Sequence, residues 1–211
     1  MLPPGEPKFK RRKAERPDEI VAAALEIFAE RGFAASRLDD IAARAGVSKG
    51  AIYLYFETKE DIFRAVVETS TGPNLAMLQT MVLETTPFAD LVRTFAQLTG
   101  HMAATSPLGG IVKMVVAEAR NFPELARIWH ERSVLPALGA MTSAIAAAQA
   151  RGEVRSGDAR SYAVALVAPI LMGVIWRETF VPVGAEPFDL AALARQHAET
   201  VLRGMRPETS T

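Results

Sequence analysis

The residues best suited to chemistry lie between Ser36 and Phe56, in the run SRLDDIAARAGVSKGAIYLYF. If Val47, Ile52 and Phe56 face a core, then Ser48, Lys49, Gly50, Ala51, Tyr53, Leu54 and Tyr55 are left partly or fully outward. Lys49 brings charge for a phosphate or a guanine edge. Gly50 and Ala51 add no bulk, so the start of this segment can sit deep in a major groove. Tyr53 and Tyr55 offer hydroxyls to phosphates and rings to thymine methyls. Lys59 stands at the next helix start, where a cation and free N–H groups both suit a phosphate. The chemistry expected of this set is recognition of double-stranded DNA.

Two helices and a tight turn must position that face. Ser36 followed by Asp39 has the S-x-x-[DE] form of a capping box, opening a helix with Leu38, Ile41 and Ala45 inward. Ala42 is small where the next helix must come close. Gly46 suits the left-handed conformation that ends a helix and turns the chain. Ser48 is placed to cap the second helix. Ahead of them Pro17 is expected to open a first helix, with Asp18 and Glu19 at its positive end and Ile20, Ala24, Ile27 and Phe28 as its apolar stripe. Gly32 is its expected stop. Residues 1–15 read as a disordered tail carrying Lys8, Lys10, Arg11, Arg12 and Lys13, suited to reach along phosphates.

Beyond Phe56 nearly every segment repeats at helical period. Ile62, Phe63, Val66 and Val67 form one inner face, and Gly72-Pro73 is expected to break or kink that helix. Further helices are expected from Pro87, from Val112 to Ala119, from Pro123 to about Ala150 with a bend at Pro136, from 158 to 179 and from 188 to 204. No strand alternation and no internal repeat stand out, so the class is all-α with about nine helices.

Composition narrows the functions. With 49% hydrophobic residues over 211 positions, the chain can bury a sizeable core. Formal net charge is zero, so DNA binding must come from a local patch. There are no cysteines, which excludes disulfides and thiolate metal sites and suits a reducing compartment. The three histidines are far apart, and no H-E-x-x-H, phosphate loop or nucleophile elbow occurs, so neither an enzyme nor a metal or cofactor site is indicated. The run AVALVAPILMGVIW, Ala163 to Trp176, is shorter than the ~20 residues of a membrane span and is read as a fully buried helix. No membrane association is expected, and no signal peptide precedes the first helix.

Residues Pro17 to Val67 resemble the DNA-binding domain of the TetR (tetracycline-repressor) family, through EIVAAALEIFAERGF and LDDIAARAGVSKGAIYLYFETKEDIF. EARNFPELARIW and ARGEVRSGDAR are similar to one subgroup of that family's regulatory domains. The resemblance implies a cytoplasmic homodimeric transcriptional regulator, usually a repressor, on a palindromic operator. It implies a C-terminal helical domain that dimerises and holds a small-molecule effector, whose binding spreads the two reading heads. Carried over by position, the DNA contacts fall on Ser36, Ser48, Lys49, Gly50, Ala51, Tyr53, Leu54, Tyr55 and Lys59. Leu54 departs from the aromatic, histidine or arginine common there, which favours an apolar contact. The domains so implied are a basic tail 1–15, a DNA-binding domain 16–62, an effector-binding and dimerisation domain 63–206 and a tail 207–211. Helices 158–179 and 188–204 would form the dimer bundle, with Ala163, Val167, Ile170, Leu171 and Val174 at the interface. The pocket candidates are Met77, Met81, His101, Met102, Met114, Trp129 and Trp176; no like-charge cluster accompanies them, so a mostly apolar effector is expected. A helical adaptor using the helix-turn-helix to bind protein is the alternative, and a helical enzyme a weaker one.

Overall fold

The computed structural model describes residues 8–83 and 86–207, with side chains from residue 16 onward except that of Leu83. Within them the fold is α1 (Lys8–Ala35), α2 (Leu38–Ala45), α3 (Lys49–Ile52), α4 (Lys59–Leu83), α5 (Phe88–Thr105), α6 (Leu108–Glu118), α7 (Pro123–Trp129), α8 (Leu135–Ala150), α9 (Ala159–Thr179) and α10 (Leu190–Gly204). α7 and α8 are one continuous helix of 28 residues, joined by a π turn at His130–Val134. Counted so, the described residues hold nine helices and no strand, as the periodicity predicts.

The apolar stripes order the packing. Ile20, Ala24, Ile27 and Phe28 of α1 meet Ile41 of α2, Ile52 of α3 and Ile62, Phe63, Val66 and Val67 of α4, all essentially inaccessible to water. Phe28, Phe33 and Phe63 pack ring against ring at 5.4–6.2 Å between centroids. The same cluster takes in Ile111, Met114 and Val115 of α6 and Leu125 and Ile128 of α7. A boundary between 62 and 63 therefore runs through packed side chains. α6 lies on α1 so closely that a Cβ at Gly110 would stand 2.8 Å from Ala29 Cβ and 3.0 Å from its backbone. A second cluster joins the far end of α4 (Leu78) to α5, α8, α9 and α10.

Several local expectations are corrected. α1 starts at Lys8, with Pro17 inside it, so residues 8–15 are helical in backbone rather than a coil; Lys, Arg and Ala in that stretch are strong helix formers. Residues 1–7 and 208–211 of the two expected tails, and the side chains meant to reach along phosphates from Lys8 to Lys13, lie outside the described residues. Gly72-Pro73 does not break α4, which runs unbroken from 59 to 83 because its two ends are anchored in different clusters. Pro136 falls just after the π turn, which lets the long helix continue past a missing N–H. The run 163–176 is not fully buried. It lies in a helix of 21 residues that buries Ala163, Leu166, Ile170, Gly173 and Val174 and leaves its other side open. The stretches 123–150 and 159–183 are long and apolar enough to cross a membrane by length and composition alone, yet each places one face in the second cluster.

Candidate nucleic-acid interface and ligand cavity

The helix-turn-helix is built as its residues require. Gly46 takes φ 67°, and its N–H closes α2 on the Ala42 and Ala43 carbonyls. Ser48 caps α3, its hydroxyl accepting the Ala51 N–H at 3.2 Å. α3 is a single turn, and Tyr53 to Tyr55 continue as a tight turn rather than as helix. This turn pushes Tyr53 (52% exposed) and Leu54 (71%) into solvent, while Tyr55 and Ala51 are half-buried. Ser48, Lys49 and Gly50 are exposed beside them. Lys49 pairs with Asp39 of α2 at 3.0 Å, and that hydrogen bond raises the ammonium above its ordinary pKa.

Two sequence-based candidates are turned inward. Ser36 is buried, and its hydroxyl donates to the Gly32 and Ile27 carbonyls behind it. It neither caps α2, whose N-cap is Arg37 without a side-chain bond, nor reaches a DNA face. Lys59 donates to the carbonyls of Phe33 (2.6 Å) and Ser36 (3.0 Å) and stands 4.2 Å over the Phe33 ring. Burial pushes its ammonium below the ordinary lysine value. Both sit at the corner that Gly32 makes: its φ of 78° breaks α1 there, and carbonyls around the break accept from these two side chains. Sequence reading missed Arg37, which is exposed at the N-terminal end of α2 and has no ion-pair partner among the described residues. The signal was there: a basic residue at the cap position beside the turn.

The other feature is a cavity of about 400 Å³ among α4, α5, the π turn, α8 and α9. Of the seven predicted residues it brings together Met81, Met102 and Trp129. The other four lie elsewhere. Met77 and His101 are on exposed helix faces, and Met114 is in the cluster under the helix-turn-helix. Trp176 packs on Phe180 and Phe188, with its N–H on the Glu186 carbonyl at 2.9 Å. Missed were Thr71, Asn74, Thr99 and Ser133, polar residues at helical spacing on apolar faces. Of the predicted interface residues, Ala163, Ile170 and Val174 are buried, Val167 and Leu171 are exposed, and Ala163, Val167 and Leu171 line the cavity. The exposed residues of α9 that line neither the core nor the cavity include Ala165 and Met172.

Comparisons with known proteins agree with this arrangement. Residues 20–66 match the model for bacterial regulatory proteins of the tetR family, and residues 84–193 match the tetracyclin repressor-like C-terminal domain. The HTH-type transcriptional repressor BepR of Brucella suis is 27% identical over 207 residues, covering 94% of this chain and 96% of that protein. A shorter match, to the HTH-type regulator YfiR of Bacillus subtilis, is 36% identical and spans 33% of this chain and 34% of that protein. Among solved structures, SmeT, repressor of the Stenotrophomonas maltophilia multidrug efflux pump SmeDEF, superposes in its triclosan complex with TM-score 0.72, 24% identity and 92% of both chains covered. Bacillus subtilis FadR in complex with stearoyl-CoA gives 0.68, 23% identity, 90% of this chain and 99% of that one. With both halves of the chain matched in order, by a head model and a C-terminal domain model, this protein belongs to the TetR family of bacterial transcriptional regulators.

Proposed function

We propose that the protein is a ligand-released repressor: a cytoplasmic homodimer that grips a near-palindromic operator and lets go when a mostly apolar small molecule fills the cavity. Membership of the family makes it a transcriptional regulator rather than an enzyme. The observation that carries the rest is the cavity itself. It is lined almost wholly by apolar side chains, and one wall is α4, whose other end is packed in the core of the DNA-binding head. A molecule entering there must act on the helix that holds the head.

Reading is assigned to Arg37, Ser48, Lys49, Gly50, Ala51, Tyr53, Leu54 and Tyr55, with Ser36 and Lys59 supporting the corner behind them. Two copies are required, because one turn of α3 contacts too few base pairs for a specific site and a two-fold dimer doubles it. The outward faces of α9 and α10 fit the bundle, since small Ala165 permits close approach beside exposed Met172. Relatives support the reading: BepR and SmeT are repressors, and SmeT and FadR have been solved with triclosan and with stearoyl-CoA bound.

The test is a gel shift with DNA flanking the protein's own gene, at two salt concentrations, with and without lipophilic compounds. A salt-sensitive shift that a compound reverses is expected. No shift on any flanking fragment overturns the regulator and favours the protein-binding adaptor.

A further inference from the structure

The lining of the cavity has a direction. Its polar groups are Thr71 and Asn74 of α4, Thr99 of α5 and Ser133 of the π turn, and no Asp, Glu, Lys, Arg or His lines it. Two of the four are spent on their own helices: the Thr71 hydroxyl donates to Val67 O and the Thr99 hydroxyl to Phe95 O, both at 2.8 Å. The Ser133 hydroxyl makes no hydrogen bond to another described residue. The Asn74 amide donates only to Met102 Sδ, at 3.1 Å. A thioether is a weak acceptor, and a ligand oxygen would replace it readily.

That contact also fixes the axis. α4 and α5 are successive helices joined by a short connection, and Asn74 faces Met102 across them. About two turns on along α4 lies Met81, and about two turns back along α5 lies Phe95, on the order of 10 Å away. That end is purely apolar. The cavity thus offers an amide at the end nearest the head and hydrocarbon at the other.

We propose that Asn74 is the specificity-determining residue of this site, and that its ligand is an uncharged lipophile with one hydrogen-bonding head, seated with that head at Asn74. The assignment rests on the reading of the cavity as the effector site. A carboxylate or ammonium brought into the same space would lose its hydration with no opposite charge to meet it, which costs several kcal/mol. A phenol, hydroxyl, amide or lactone head loses far less and regains it at the Asn74 amide.

The test uses four probes of one shape: 4-phenylphenol, 4-phenylbenzoate, 4-phenylbenzylammonium and biphenyl, titrated calorimetrically into the full-length protein at neutral pH. The phenol should bind one per chain, at least ~10-fold more tightly than either ion, a gap of about 1.4 kcal/mol or more. Asn74→Leu should weaken the phenol by ~10-fold or more and leave biphenyl unchanged or tighter. Asn74→Asp, nearly isosteric, should move the preference to the ammonium, and it decides the matter if the leucine variant fails to fold. The proposal is overturned if an ion binds as well as the phenol, if none of the probes binds, or if both variants keep the native order of affinities. A parallel gel shift separates the two readings. The predicted affinity order with no effect on DNA refutes ligand-released repression and leaves Asn74's role standing. Release of DNA by phenol with unchanged affinity in Asn74→Leu does the reverse.

Discussion

The Glu118 carboxylate, at the last residue of α6, accepts the backbone N–H of Phe33 at 3.0 Å, just past the break in α1. Its other oxygen takes the next N–H, from Ala34, at 2.8 Å. These are orphan donors at the restart of a helix after Gly32, where a carboxylate is doubly suited, by hydrogen bonding and by the local dipole. A Cβ at Gly32 would collide with that carboxylate, so the seat needs glycine for space as well as for its φ. The effector-side helix α6 is in this way bonded to the corner from which α2 departs.

Glu118→Ala should therefore lower stability by about 1–3 kcal/mol, the cost of leaving such donors without a partner. Glu118→Gln, which keeps an accepting oxygen, should lose less. Chemical denaturation of the two variants checks this. An alanine variant as stable as the parent would show that water replaces the carboxylate at no cost.

How legible this corner is depends on the kind of interaction. Helices and their inner faces follow from period alone: Ile20, Ala24, Ile27, Phe28, Ile62, Phe63, Val66 and Val67 are all expected inward and all are buried. Outward groups with short reach, such as Ser48 and Tyr53, are also legible, because local geometry decides where they point. Lys59 and Ser36 mislead because their partners are backbone carbonyls gathered around a break in α1, which no side-chain pattern announces. The cavity is half legible. Met81, Met102 and Trp129 line it, but which face of α9 lines the cavity and which faces away depends on a rotation of one residue step, and the apolar composition of that helix is too even to set it.

Arg37 and Asp39 give a paired prediction about DNA. Arg37→Ala should weaken binding to all sequences alike and reduce the salt slope by roughly 0.9 for each phosphate it no longer neutralises. Asp39 occupies Lys49 and repels phosphates, so Asp39→Asn should tighten binding several-fold and steepen that slope. Affinity measured at three salt concentrations decides both. If Asp39→Asn binds more weakly, the ion pair positions Lys49 for the base edge instead of competing for it.

Met172 is 51% exposed on the outward side of α9 and lines neither the core nor the cavity. A two-fold interface would bury it twice, so Met172→Glu places two carboxylates in one apolar contact. The variant should sediment as a folded monomer and lose operator binding, with the dimer weakened by on the order of 100-fold. Dimers at unchanged concentration would move the interface off this face.

The start of α4 carries an acid-sensitive cap. Asp61 accepts the Thr58 N–H at 3.0 Å and its hydroxyl at 2.7 Å, while the Asp61 N–H donates to Thr58 Oγ1 at 3.1 Å. The Thr58 hydroxyl and N–H, helped by Arg64, hold the Asp61 carboxyl below its ordinary value. The folded state then binds a proton less readily than the unfolded one, so the stabilisation is complete above the unfolded pKa near 4 and fades as pH falls through the lower folded value. Asp61→Asn should cost about 1 kcal/mol at pH 7, as lost caps do, and the deficit should narrow toward pH 3. A deficit independent of pH would assign the loss to packing.

Gly72 sits in mid-helix beside Pro73, between Thr71 and Asn74 of the cavity wall. Nothing beyond its own helix and chain neighbours lies within 4 Å of where its Cβ would be, so tertiary packing does not call for glycine here. Glycine in a helix interior is destabilising by roughly 0.5–1 kcal/mol relative to alanine, and Pro73 removes a further backbone bond. α4 is thus weakest between its head-bound half, Ile62 to Val67, and its cavity half, Asn74 to Met81. If bending there carries the ligand signal, Gly72→Ala should stiffen the helix, with a stability gain below that amount because the new Cβ meets the Pro73 ring, and leave operator affinity and ligand affinity as they are. The ligand concentration needed to release DNA should rise severalfold, because the bound ligand must now work against a stiffer helix. Titrating release by gel shift, with calorimetry on the same sample, separates this from a simple binding defect. Release at the parent's concentration would mean that α4 moves as one rigid rod, pivoting on its packing against α7 and α8.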